Sequence, residues 1–196
     1  MIESFINKKD RIIASAIEII SDAGVASLTV KNLAMRENMP EAMLYRYFGG
    51  IDDVLVEVIE LFTKYDKSII ATIEGKDISH FDKAIEFIKT FAINYTGYPE
   101  LAAITLNYEV FLHNVNTRDM MAECLVRRRD FVLGEFQMAI EEKEIMDCLT
   151  AEELTDIAFG TIDRDLLNRR LKNDVRSHER MASDLFNKLS GLLKLS

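Results

Sequence analysis

Residues 29–48, TVKNLAMRENMPEAMLYRYF, read as two short helices joined by a tight turn. Thr29 is a helix N-cap residue ahead of Val30, Leu33 and Ala34, which fall on one helical face. Asn38-Met39-Pro40 breaks that face. Proline lacks a backbone N–H and fits only the first turn of a helix. A second helix therefore opens there and is predicted to run through Leu44-Tyr45-Arg46-Tyr47-Phe48. Two short helices in this order form a helix-turn-helix, a motif whose second member can enter the major groove of DNA.

The flanking sequence is helical on both sides. Ile12, Ile13, Ala16, Ile17 and Ile20 recur at helical spacing and predict an amphipathic helix over 8–23, stopped by Gly24. Gly49-Gly50 separates the motif from Asp52-Asp53, which favour a helix N-terminus through the macrodipole. Val54, Leu55, Val58, Ile59, Phe62, Ile69, Ile70 and Ile73 then mark a long helix ending near Gly75. Further helices are predicted over 81–97, 100–114, 117–144, 152–172 and 174–195. No segment alternates as a strand does, and no Asn-Gly hairpin signal occurs. The prediction is an all-α chain of about nine helices. A three-helix head occupies residues 1–50 and a helical body residues 51–196.

Composition narrows the class. The 196 residues can bury a sizeable core, and the two prolines and eight glycines leave no low-complexity tract. No window offers the roughly 20 apolar residues of a membrane span. MIESFINKKD lacks the apolar run of a signal peptide, so a cytoplasmic protein without membrane association is expected. In that setting Cys124 and Cys148 are expected to be buried thiols. The formal net charge is −9. Residues 1–51 hold six basic and six acidic residues, so the acidic excess lies in the remainder and the head is neutral. For a DNA-binding module this is a weak electrostatic footprint.

Carboxylate-rich helical bundles can be di-iron enzymes, but such sites want Glu-x-x-His on two helices. None of His80, His113 and His178 has a glutamate three residues before it. Glu109 and His113, four apart, read as a hydrogen-bonded pair. With no Cys-x-x-Cys, phosphate-binding glycine loop or Gly-x-Ser-x-Gly, no catalytic residue, metal or cofactor is expected. Arg127-Arg128-Arg129 reads as a solvated, salt-bridged surface.

Together with Arg11-Ile12-Ile13, Ala16, Gly24, Thr29, Leu33-Ala34, Leu44-Tyr45 and Phe48, the first 55 or so residues resemble the tetracycline-repressor (TetR) family of transcriptional regulators. The resemblance implies a ligand-responsive, DNA-binding regulator, a repressor acting as a homodimer on a palindromic operator. The expected DNA-binding residues are Thr29, Lys31, Glu41, Ala42, Met43, Tyr45 and Arg46, with Leu44 and Phe48 packed inward. Arg46 suits guanine or phosphate and Met43 a thymine methyl. Thr29 and Lys31 suit a phosphate at a helix N-terminus. In the body, a small, mainly apolar effector is expected among Phe91, Asn94, Tyr95, Asn107, Tyr108, His113, Met120 and Met121. The dimer is expected to pair through Leu154, Ile157, Ala158, Ile162, Leu166, Met181, Leu185, Leu189 and Leu192 as a four-helix bundle.

The chain departs from the family pattern in three places. Asn38, Met39 and Pro40 stand where Gly-Val-Ser is usual, Ile51 stands at a common lysine position, and Glu41 brings negative charge to the groove-facing helix. These keep a second reading open, a repressor-like dimer that binds a ligand or protein partner and no longer reads DNA.

Overall fold

The computed structural model describes residues 7–172 and 178–194. Ten α-helices occur among the described residues: α1 (Lys8–Ala23), α2 (Val30–Arg36), α3 (Glu41–Leu44), α4 (Ile51–Glu74), α5 (His80–Gly97), α6 (Pro99–Leu106), α7 (Tyr108–His113), α8 (Arg118–Glu141), α9 (Ala151–Lys172) and α10 (His178–Leu193). The chain is all-α, as its periodicity predicts. The extra helix comes from Asn107, which divides the segment expected to be one helix over 100–114. Its side-chain amide donates to the Ala103 carbonyl at 2.7 Å, competing with the backbone for that acceptor. The backbone there leaves helical geometry at φ −106, ψ 17.

The chain forms two compact units. The first comprises residues 1–64 and 99–122, and the second 65–98 and 123–196. Helix α4 belongs to the first unit through Lys64 and to the second from Tyr65.

Local chemistry sets the boundaries of the head helices. Asn7 caps α1 by accepting from the Asp10 N–H at 2.9 Å. Gly24 ends it at φ 81, ψ 164, a region that only glycine enters without strain. Thr29 caps α2 through the Asn32 N–H at 3.1 Å. Asn38 turns the chain at φ 50, the left-handed conformation asparagine tolerates. Ile12, Ala16, Ile20, Leu33, Leu44, Phe48, Val54 and Val58 close the core of this part of the first unit. In the second unit the core is aromatic, built on Phe81, Phe87, Phe91 and Tyr95 of α5 with Val132 and Phe136 of α8. Thr150 and Glu153 open α9 with a reciprocal capping box, at 2.8 and 3.2 Å.

Two sequence expectations are corrected. Cys148 is exposed, since it sits in the connection between α8 and α9; Cys124 is buried as expected. Arg128 is also buried, at 3% relative exposure. Three successive residues on a helix point about 100° apart, so the arginine run cannot share one surface. Arg127 pairs with Glu123 at 3.2 Å and Arg129 lies 3.8 Å from Asp156, while Arg128 turns inward.

Candidate nucleic-acid interface

The α2–α3 segment presents one face outward. Leu44 and Phe48 are 1% and 4% exposed and anchor α3 to the core. All seven residues expected to meet DNA, Thr29, Lys31, Glu41, Ala42, Met43, Tyr45 and Arg46, are exposed. Regular α-helix stops at Leu44, earlier than the sequence suggests. The Arg46 and Tyr47 N–H groups bond three residues back, to Met43 and Leu44, at 3.2 and 2.9 Å. The chain is about to enter Gly49-Gly50, and tightening the last turn satisfies its carbonyls before the helix ends. Gly49 then donates to the Asp53 carboxylate at 2.7 Å, which fixes the start of α4.

The electrostatics of the head are settled internally. Glu37, buried at the end of α2, accepts from Lys8 at 2.9 Å, Arg11 at 2.9 Å and Ser15 at 2.7 Å. Burial alone would raise its pKa; these hydrogen bonds outweigh that and hold its carboxyl below the ordinary value. Lys9 pairs with Glu57, and Arg36 with Asp22 at 2.6 Å. Among the described residues of the head, Lys31 and Arg46 are the cations without an ion pair. Exposed Met43, Tyr45 and Tyr47 complete the outward face of the α3 segment, with Met35 exposed on α2. It is a face for apolar and aromatic contact with the two positive charges of Lys31 and Arg46 and the negative charge of Glu41, and Ile51 beside it is half-buried.

The body candidates divide between the units. Phe91, Asn94 and Tyr95 belong to the second; Asn107, Tyr108, His113, Met120 and Met121 belong to the first. His113 is 81% exposed at its side chain and turns back to the Glu109 carbonyl at 2.7 Å. Tyr108 is also exposed, whereas Met121 is fully buried. Phe91 and Tyr95 are brought together, their rings stacked at 4.0 Å.

Around Phe91 and Tyr95 lies a polar cluster that the sequence reading missed. Asp66 of α4, 1% exposed, accepts from Arg128, from the Tyr95 hydroxyl at 2.7 Å and from the Cys124 thiol at 3.1 Å. Arg128 also donates to the Tyr95 hydroxyl at 2.7 Å and lies over the Phe91 and Tyr95 rings, 4.6 and 5.1 Å from their centroids. Burial pushes the Tyr95 phenol well above its usual pKa, as does the negative charge of Asp66; Arg128 opposes them. The signal was in the spacing. Asp66 lies four residues after Phe62 and seven before Ile73, and Arg128 four after Cys124 and before Val132, so each sits inside an apolar stripe.

The second unit also carries an open groove of about 600 Å³ between α4 and α8. Ile70, Ala71, Val126 and Phe131 supply apolar surface, with Lys67 and Arg127 among the charged residues beside them. None of the body residues picked from the sequence lines it.

Of the residues expected to pair, Leu154, Ala158, Ile162 and Leu166 are 0–4% exposed within a single chain. Ile157 and Leu192 are exposed and Leu189 is half-buried. The side chains of Met181 and Leu185 lie outside the described residues.

Residues 12–58 match the family profile of bacterial regulatory proteins, tetR family. No match is found among curated proteins. Several solved structures resemble the chain over nearly its whole length. FadR from Bacillus subtilis, in complex with stearoyl-CoA, is 23% identical, with 93% of this chain and 97% of that one covered at a TM-score of 0.73. The ketosteroid regulator KstR2 of Mycobacterium tuberculosis is 10% identical, with 97% and 96% covered at 0.83. The fatty acid degradation regulator FadR from Bacillus halodurans is 20% identical, with 95% and 96% covered at 0.73.

Proposed function

We propose that the chain, whose residues 12–58 match the tetR family of bacterial regulatory proteins, is a DNA-binding transcriptional regulator of that family, a homodimeric repressor released from a palindromic operator by a small apolar effector. The observation that carries the reading is the outward face of α2 and α3, where every residue expected to meet DNA is exposed while Leu44 and Phe48 hold the motif in the core. Thr29 and Lys31 meet phosphate at the start of α2, and Glu41, Ala42, Met43, Tyr45 and Arg46 meet the groove and its edge. Release is a shift of population. The effector favours whichever body geometry holds the two heads out of register, by as much as it binds that geometry better.

A seam on α9 supports pairing. Ile157, Gly160, Arg164, Leu167 and Leu171 are all exposed and alternate at spacings of three and four, the pattern of helices that pack side by side. Leu167→Asp is expected to give monomers by light scattering with the fold intact, and a mutant that stays dimeric removes this seam from the interface.

For the effector, the groove between α4 and α8 offers apolar surface from Ile70, Ala71, Val126 and Phe131, which suits an acyl chain; of its charged residues Lys67 is the cation left to meet a polar head, since Arg127 pairs with Glu123 and Glu74 and Asp130 are acidic. The stearoyl-CoA bound to the B. subtilis protein is therefore the first compound to test. At about 100 times its dissociation constant it should stabilise the fold by roughly 2.7 kcal/mol. Selection of genomic fragments by the purified protein, with and without stearoyl-CoA, tests the whole reading. An enriched palindrome lost on adding the effector is the expected result. Failure to enrich any fragment favours the repressor-like dimer that no longer reads DNA.

A further inference from the structure

We infer that Met43, with Ala42 beside it, makes this head selective for thymine C5-methyl groups in the major groove of each half-site, an inference that rests on the DNA-reading assignment above. Two features of the head lead there. The first is what the head has spent. Lys8 and Arg11 are held by Glu37, Lys9 by Glu57 and Arg36 by Asp22, so four of the six cations in residues 1–51 already have internal partners. Affinity drawn from phosphates is correspondingly small, and the base edges must supply more of it.

The second is what the α3 turn offers those edges. Glu41, Ala42 and Met43 are exposed on its first turn, and Met43 retains 37% of its surface while Leu44 behind it is buried. Neither Ala42 nor Met43 can donate to a phosphate or a guanine, and Glu41 can only accept. In the major groove the C5-methyl of thymine is the apolar feature such side chains meet. Glu41 in turn repels phosphate, so this turn gains by sitting over base edges rather than along the backbone. Met43 is flexible and polarisable, which lets one side chain follow the methyl through small shifts of the helix.

The experiment begins with selection from random duplexes by the full-length wild-type protein. The enriched duplex is then remade with deoxyuridine in place of thymidine, one half-site position at a time, which removes each methyl and leaves every hydrogen-bonding edge unchanged. Burying one methyl group corresponds to about a fourfold change in affinity, so the uracil duplex should bind about fourfold more weakly per methyl removed. Met43→Ala should bind the thymine duplex more weakly and discriminate less, its thymine-to-uracil ratio falling towards one. Met43 is exposed, so the variant should melt with the wild type, and a matching melting curve confirms that a loss of discrimination is local. Equal binding of thymine and uracil duplexes by the wild type overturns the inference, as does full discrimination by Met43→Ala. Enrichment of duplexes without thymine at those positions overturns it while leaving DNA binding in place. Enrichment of no duplex at all overturns both.

Discussion

Glu37 in the head and Asp66 in the body are both buried carboxylates that gather cations, yet they work at different depths. Glu37 draws on Lys8 and Arg11, whose side chains are 30% and 50% exposed, so water screens most of that pairing. Asp66 meets Arg128 with both side chains at 3% exposure or less, and Tyr95 and Cys124 also donate to it. A half-exposed pair can be loosened at little cost. A buried pair left with one partner cannot. The contrast separates two uses of charge: the head neutralises itself, and the body fixes the relative rotation of α4, α5 and α8 around one carboxylate.

The largest expected effect follows from the buried pair. Arg128→Met leaves Asp66 charged and without its cation, and such a loss costs about 3–5 kcal/mol of stability. The double variant Asp66→Leu, Arg128→Met removes both charges and should recover most of that loss in denaturant unfolding. Glu37→Gln, by comparison, should cost only about 1–3 kcal/mol, since Lys8 and Arg11 can turn to solvent. If Glu37→Gln proves the costlier change, depth is not what distinguishes the two clusters.

This contrast also shows what sequence could reveal. Helix positions were legible because apolar spacing sets them, and α1 and α4 fall where the isoleucines and valines place them. The outward face of α3 was legible too, from Leu44 and Phe48 four residues apart. The Asp66 cluster was only half legible: Asp66 and Arg128 each stand inside an apolar stripe, but the members come from three helices 29–62 residues apart, and no local pattern pairs them. The same limit applies to α9. Both sides of α9 carry leucine and isoleucine, and only packing decides that Leu166 turns inward and Leu167 outward.

Smaller effects should appear on changing pH. Glu37 has its folded pKa held down, so it contributes stability above its ordinary carboxyl range, and that contribution is lost as pH falls through the lowered value. Asp82 behaves likewise: burial raises its pKa, but hydrogen bonds from Lys194 and Ser79 bring the net value down. Tyr95 runs the other way. Burial raises its pKa well above 10, so its contribution is complete below 10 and is lost as pH rises through the folded value. Thermal melting across pH should therefore show an acid limb partly flattened by Glu37→Gln and an alkaline limb partly flattened by Tyr95→Phe. Exchange of these assignments between the two variants would break the comparison.

The smallest effect is the most direct reading of the head's internal neutrality. Each phosphate neutralised contributes about −0.9 to the slope of log affinity against log salt on duplex DNA. Lys31 and Arg46 alone, counted in the two heads of the proposed dimer, give a shallow slope of about −3.6. Family resemblance places Ile51 at a lysine position near phosphate, and Ile51 is half-buried at the first residue of α4, where a longer side chain can reach outward. Ile51→Lys should therefore tighten binding to any duplex and steepen the slope by about 1.8 across the dimer, with base preference unchanged. Arg46→Ala should lower affinity and make the slope shallower if Arg46 meets phosphate. If it meets guanine instead, the loss falls on one base pair and preference there relaxes. A steep slope in the unaltered protein would mean that Lys8, Lys9, Arg11 or Arg36 exchanges its carboxylate for phosphate on binding, and the head's ion pairs would then be a store of charge for DNA.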